Sequence, residues 1–396
     1  MTDLFEKTSE IFWKWLESNG ATLSENIEIG DYRSEGAGRG ITAKNDIKEG
    51  EILFSLPRSL LLSPLTSRLR QEPGIGDKLD NLEGWLPLIL CMMYESQKPD
   101  SFWKPYFDIL PKTFSTPMFW GDDDIKGLEG TDIVGKIGKS DAEAMFESNI
   151  LPIIKSNPIL FDENIHTVEL FHICGSLIMA YSFTDEVATN ANKPIKNKED
   201  EDEDEDDEDE DEDEDEEGAE LIAMVPLADT LNHKTGFNNA RLFHEPEFLE
   251  MKAFKDIRKG EQIYNTYGDL CNADLLRKYG FVDEPNEFDI VEINGADVVS
   301  TFSNPEENEE VTGRKLEFLM EEGVLDDCFV LENDHEIPEA LIIIAHVLKA
   351  PVAEFDKMEA KQKLPKAKQT PEIMRPLMEL FERRLAKYPC LKVNKT

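Results

Sequence analysis

Phe5, Ile11, Phe12, Trp15 and Leu16 recur near one face at helical spacing, which predicts a helix over residues 5–18. The period then shortens. Between residues 26 and 63, β-branched and apolar runs (Ile27, Ile29; Ile41, Ile47; Ile52, Phe54, Leu56) are broken by Gly and Asp, predicting small strands joined by tight turns. Helical spacing returns over 82–97, starting near Gly84-Trp85, whereas SFWKPYFDILPKTFSTPMFW (101–120) reads as an irregular, aromatic connection punctuated by proline. Val168, Phe171, Cys174, Leu177, Ile178 and Tyr181 step by three and four, predicting an apolar helix between Glu163 and Ser182. Strand-like runs occupy 220–268, followed by a short helix, NADLLRKYG. Beyond residue 295 the pattern is helical in GRKLEFLMEEGVL, IPEALIIIAHVLKA and PEIMRPLMELFERRLAKYP, so a domain boundary is expected there.

Charge changes the picture at one place. Residues 199–217 are 19 carboxylates and nothing else; without them the formal net charge of −42 would be −23. Such a block repels itself and has nothing to bury, so a disordered surface loop is expected over about 193–219. The remainder is still acidic, which argues against direct nucleic-acid binding and for a basic protein partner. Five cysteines, at 91, 174, 271, 328 and 390, form no C-x-x-C pair. That spacing fits neither a disulfide framework nor a structural zinc site, and points to a reducing compartment. The N-terminal helix is interrupted by charge, and no apolar run has the length of a membrane span. A length of 396 residues leaves room for two domains.

Candidate chemistry lies in three places. Gly36, Gly38 and Gly40 in SEGAGRG stand between two strand-like runs, where glycine permits either a sharp turn or the close approach of a ligand to the main chain. The stretch leads into strand and turn rather than a helix, so it is not a dinucleotide fingerprint. Asn232-His233 sets an amide beside an imidazole after an apolar run, which suits a capped turn or a grip on a polar cofactor. GEQIYNTYGDLCNADLLRKYGF holds Tyr264, Tyr267 and Tyr279, either as core or as a pocket wall. No G-x-S-x-G, Walker loop or H-E-x-x-H is present, and neither His233 nor His244 has partners at a metal spacing.

In order along the chain come Gly38-Arg39-Gly40, Asp229-x-x-Asn232-His233, KGEQIYNTYG and then YGF. This order resembles the SET-domain protein methyltransferases, and within them the subgroup of the Rubisco large-subunit methyltransferase. GWLPLIL, WKPYFDILP, PMFW, LIMAYSF, VPLADTLNH and IYNTYGDLCNADLLRKYGFV are similar to the branch of fungal ribosomal-protein lysine methyltransferases and animal SET domain-containing protein six. The resemblance covers nearly the whole chain.

It implies an α+β fold: a SET domain of small β-sheets with a knot-like core (1–295), split by a helical insert (about 64–190), then an all-helical substrate-binding domain (296–396). It implies an S-adenosylmethionine-dependent protein-lysine N-methyltransferase, a monomer without metal, acting on a basic protein such as a large-subunit ribosomal protein. A histidine acceptor, as in an actin-modifying member of the subgroup, and a non-enzymatic acidic chaperone are the alternatives. The expected location is the nucleus, with the cytoplasm as the alternative. By position, Gly38, Arg39, Gly40, Tyr181, Asn232, His233 and Tyr279 would contact the cofactor, with Phe281 nearby. Tyr267 would be catalytic, and Trp85, Ser182 and Thr184 would touch the substrate.

Overall fold

The computed structural model describes residues 3–185, 221–334 and 336–388. The acidic loop expected over 193–219 and Cys390 lie outside the described residues. The chain divides into two compact units, Met1–Phe114 with Gly138–Gly268, and Ser115–Ile137 with Asp269–Thr396. The boundary expected at 295/296 thus falls inside the second unit.

The first unit opens with helix α1 (Leu4–Ser18), in which Asp3 caps the N-terminus and Ser9, Phe12 and Leu16 form the buried stripe. Strand β1 (Thr22–Leu23) precedes the stretch where the alternation predicts strands, and β2 (Ile27–Tyr32), β3 (Gly38–Ala43) and β4 (Ile52–Pro57) follow within it. Further along the chain come β5 (Ser182–Thr184), which lies within the bounds expected for the helical insert, then β6 (Ile222–Met224), β7 (Ala240–His244), β8 (Phe248–Ala253) and β9 (Gln262–Ile263). They form antiparallel sheets ordered β1-β4-β8-β7, β2-β3-β9 and β5-β6. In β4 the alternation slips. A bulge between Ile52 and Phe54 leaves Ile52 exposed and buries Leu53 and Phe54 together, so Ile52 is not the core residue its period suggests.

Helix Leu86–Ser96 begins at Trp85, with Pro87 in its first turn. SFWKPYFDILPKTFSTPMFW is more regular than expected: Pro105 starts a short helix, Lys104–Ile109, and Pro117 opens a 3-10 turn. Helix Val168–Tyr181 runs directly into β5. β5 and β6 bracket the undescribed segment, with Thr184 opposite Ile222 and the Asp185 amide donating to the Leu221 carbonyl at 2.6 Å.

The second unit has a core of its own. Helix Glu339–Lys349 is buried around most of its circumference through Leu341, Ile342, Ile344, Val347 and Leu348, as befits the centre of a helical cluster. Among its described residues the unit is helical apart from one antiparallel pair, β10 (Val291–Asn294) and β11 (Cys328–Leu331). Lys315 is fully buried. Its ammonium pairs with Glu307 at 2.8 Å and donates to the carbonyls of Leu348 and Ala350 at 3.1 and 2.8 Å.

Removing one partner from a buried pair strands the other charge. Lys315→Met is therefore expected to lower the unfolding free energy by about 3–5 kcal/mol. Lys315→Met with Glu307→Gln should recover much of that loss in a urea titration. A single variant as stable as the parent would show that the pair is dispensable.

Candidate active site

Three stretches far apart in sequence meet around Gly40. Its partner across β2-β3 is Gly30, and the Tyr32 ring lies over both while its hydroxyl bonds Thr42 Oγ1 at 2.7 Å. A Cβ at position 40 would collide with the Gln262 amide and would come within 2.8 Å of both Asn232 Nδ2 and the Tyr32 ring. Glycine is favoured here because three side chains crowd the position, not because the backbone turns. Gly38 differs. Its φ is +68°, a conformation that suits glycine, and nothing lies within 4 Å of where its Cβ would be.

The Asn232-His233 pair is held from both sides. Asn232 Nδ2 donates to the Arg39 carbonyl at 3.1 Å, and the Asn232 carbonyl accepts from the Asn265 amide at 3.1 Å. Asn232 also forms a parallel bridge with Tyr264, just beyond β9. Asn239 clamps the same strand: its Oδ1 accepts from the Tyr264 amide at 2.8 Å, and its Nδ2 donates to the Gln262 carbonyl at 3.1 Å.

Tyr267 is fixed at three points. Its amide donates to His233 Nδ1 at 3.1 Å, its ring stacks on the imidazole with centroids 5.1 Å apart, and its hydroxyl donates to the Leu231 carbonyl at 3.0 Å. Because Nδ1 accepts a main-chain N–H, a neutral His233 carries its proton on Nε2, 3.4 Å from Thr235 Oγ1.

Just before the pair, the chain makes a turn that is unusual for a side chain as large as leucine. Leu227 has φ +78° and is wholly buried, a strain of roughly 1–3 kcal/mol that packing on all sides sustains. The following 3-10 turn, Ala228–Thr230, buries Asp229, whose carboxylate accepts from the Tyr106 hydroxyl. Desolvation pushes the Asp229 carboxyl up to about 7, the Tyr106 bond opposing it only in part. Burial first, and then the Asp229 charge, push Tyr181 up to about 12. Sequence reasoning missed Asp229 and Tyr106 as a pair. The signal was a carboxylate inside the apolar run MVPLADTL.

Gly38, Gly40, Asn232, His233 and Tyr267 are therefore gathered, while Tyr181 stands at the end of helix Val168–Tyr181, directly before β5. Arg39 enters by its main chain. Its guanidinium turns away to Ser9, Thr8 and the carbonyls of Phe5 and Ile109, at 2.8–3.2 Å, and stacks over the Phe5 ring. Ser182 and Thr184 are half-buried on β5, and Trp85 is 42% exposed at the head of its helix. Tyr279 belongs to the second unit, at the end of helix Asn272–Tyr279, with the Phe281 ring 6.1 Å away. Among the described residues no cluster of His, Cys, Asp or Glu could hold a metal ion.

A SET domain model matches residues 38–268, which include Gly38, Gly40, Asn232, His233, Gln262 and Tyr267. The chain belongs to the SET-domain family. It is 36% identical over 327 residues to the N-lysine methyltransferase setd6 of Danio rerio, a match covering 80% of this chain and 67% of the relative. It is 32% identical over 370 residues to the ribosomal lysine N-methyltransferase 4 of Saccharomyces cerevisiae, covering 87% and 72%. Among solved structures, Rubisco LSMT bound to sinefungin and monomethyllysine aligns with a TM-score of 0.69 at 19% identity, covering 97% of this chain and 82% of that one. That likeness establishes a common fold.

SET domains imply S-adenosylmethionine, and this site can be tested for its fit to that molecule. Open space over Gly38, the Gln262 amide nitrogen buried without a hydrogen-bond partner among the described residues, and the half-buried Asn232 and His233 offer main-chain and amide partners to a polar, zwitterionic ligand. The residues fit.

Two outcomes are expected. Gly40→Ala should abolish S-adenosylmethionine binding in calorimetry, whereas Gly38→Ala should weaken it and still fold. Intact binding by Gly40→Ala would mean that the three chains can separate without consequence. Asp229 holds its proton to higher pH when folded than when unfolded. Its contribution to stability is complete below about 3.8 and is lost as pH rises through about 7. Asp229→Asn should therefore gain stability over the parent between pH 5 and pH 8, and a difference flat with pH would place the charge elsewhere.

Proposed function

We propose that this chain is a protein-lysine N-methyltransferase that uses S-adenosylmethionine to modify a lysine in a basic, ribosomal-type protein, working in the nucleus. The observation that carries the reading is the fixed Tyr267, locked by His233 and Leu231 beside the Gly38–Gly40 strand. Support for the substrate class comes from the yeast relative's name and from the acidic balance of the chain.

Bound S-adenosylmethionine supplies an electrophilic methyl on a sulfonium. Gly38, the Arg39 main chain, Gly40, Asn232 and His233 would hold it, with Tyr181 beside it. Trp85, Ser182 and Thr184 would meet the substrate. Transfer to an amine is an in-line displacement, so the protein's work is to align and desolvate the reactants. A lysine ammonium has an ordinary pKa of about 10.4 and must lose a proton before it attacks. An apolar channel disfavours the charged form.

The Tyr267 hydroxyl has committed its proton to the Leu231 carbonyl, so it accepts from the amine N–H and turns the nitrogen lone pair toward the methyl. A phenol of pKa near 10 is a poor base at neutral pH, and Tyr267 is assigned orientation instead. The His233 stack and the amide bond to Nδ1 keep the ring from swinging out of line.

Incubation with radiolabelled S-adenosylmethionine and hypomethylated ribosomal proteins tests this. The parent should label a basic protein, and amino-acid analysis should recover methyl-lysine rather than methyl-histidine. Tyr267→Phe should cut turnover by roughly 100-fold or more while leaving S-adenosylmethionine affinity intact. Full turnover by that variant would remove the tyrosine from the mechanism. Deleting residues 199–217 should raise the KM for the protein substrate at low salt, and an unchanged KM would take the run out of substrate capture.

A further inference from the structure

Among the described residues, β2 is an edge of the sheet β2-β3-β9 and pairs with β3 alone. The Lys44 amide donates to the Asn26 carbonyl, so even-numbered residues of β2 bond inward and Ile29 and Asp31 turn their main-chain groups outward. Alongside this edge, between β2 and helix α1, runs a groove of about 930 Å³. Side chains from both faces of β2, Glu28 and Ile29, line it, as they must where a groove follows a strand's edge. Six residues at about 3.3 Å each make β2 roughly 20 Å long, enough to seat an extended segment of similar length.

Charge selects the occupant. Glu6, Glu10 and Glu17 line the helical wall, Glu25, Glu28 and Asp31 line the strand wall, and Lys44 is the one amine among the lining residues. Asp31 is paired with Arg33, whereas Glu6, Glu10, Glu25 and Glu28 form no ion pair among the described residues. All four are exposed, so they are hydrated and available. Half-buried Phe5 and Trp13 add aromatic surface. The Phe5 ring already stacks under two guanidinium groups, Arg33 at 4.1 Å and Arg39 at 4.0 Å, which shows what chemistry this end of the groove accepts.

We infer that the groove is a docking site for an extended, Lys/Arg-rich segment of the protein substrate, remote in sequence from the methylated lysine, which adds to β2 as a further strand. Main-chain bonds to the edge give affinity, and the carboxylates on both walls take the basic side chains. The groove also bears on the site chemically. Ser9, one of its lining residues, accepts from the Arg39 guanidinium at 3.0 Å, and the Arg39 carbonyl accepts from Asn232. Naming the partner as the substrate rests on the methyltransferase reading; affinity for such a segment does not.

The probe is a fluorescein-labelled decapeptide of alternating arginine and valine, which has no lysine to methylate, titrated against the full chain by fluorescence anisotropy. Replacing Glu6, Glu10, Glu25 and Glu28 by Gln should weaken binding by at least about tenfold. Affinity for S-adenosylmethionine should stay unchanged, and the KM for a methylated basic protein should rise without a change in kcat. Replacing Glu309, Glu310, Glu321 and Glu322, on another helix, should leave the probe's affinity intact. Equal loss in both variants, or complete loss on deleting residues 199–217 alone, would reduce the effect to bulk charge and overturn the site. A probe N-methylated at every second residue should bind more weakly, and equal binding would rule out strand addition. If the groove variant loses the probe but no fraction is ever methylated, the docking site stands and the methyltransferase reading falls.

Discussion

The active-site unit depends on the absence of one carbon atom. With hydrogen alone at position 40, β3 can lie against the Asn232 amide, the Gln262 amide and the Tyr32 ring at once. From that contact the rest follows. Asn232 reaches the Arg39 carbonyl, its own carbonyl holds Asn265, and the strand so positioned delivers Tyr267 to His233. The stack of histidine on tyrosine then holds the ring while the hydroxyl donates to the Leu231 carbonyl. A site braced by its own main-chain and side-chain bonds spends little of the binding free energy on arranging itself.

Beneath this contact lies a less comfortable arrangement. A buried carboxyl at Asp229 and a left-handed leucine two residues earlier share one short turn, and both oppose stability. They persist because Tyr106 donates to the carboxylate and because the surrounding side chains leave Leu227 no other place to go. Strain beside a site is what a segment that must present two consecutive residues, Asn232 and His233, in a set orientation would be expected to carry.

Much of this was legible in the sequence where the signal is local. Periodicity located helix α1, helix Val168–Tyr181 and the helices of the second unit, because a buried stripe is written directly in the residues that form it. It misjudged Ile52, since a bulge shifts the phase without changing composition, and it passed over Lys104–Ile109, where proline starts a helix instead of ending one. At the site, the order of Gly38-Arg39-Gly40, Asn232-His233 and Tyr267 drew attention to residues that do meet. The Tyr106–Asp229 bond spans 123 residues, so the apolar run around Asp229 marks one partner without revealing the other. Arg39 shows a finer limit. Its place in the glycine stretch suggested a ligand contact, yet the side chain serves the N-terminal helix and only the main chain faces Asn232.

The pairing of β5 with β6 has a consequence for the connection it carries. Thr184 and Ile222 face each other across an antiparallel ladder, and the next residues outward, Asp185 and Leu221, are also hydrogen-bonded. Whatever joins them therefore starts and finishes at neighbouring points on a clasp that is already closed. The entropy of closing a loop grows only with the logarithm of its length, so each doubling costs about 0.6 kcal/mol. The clasp therefore closes the catalytic frame through its own backbone bonds, at a point where the fold is insensitive to how long a connection it carries.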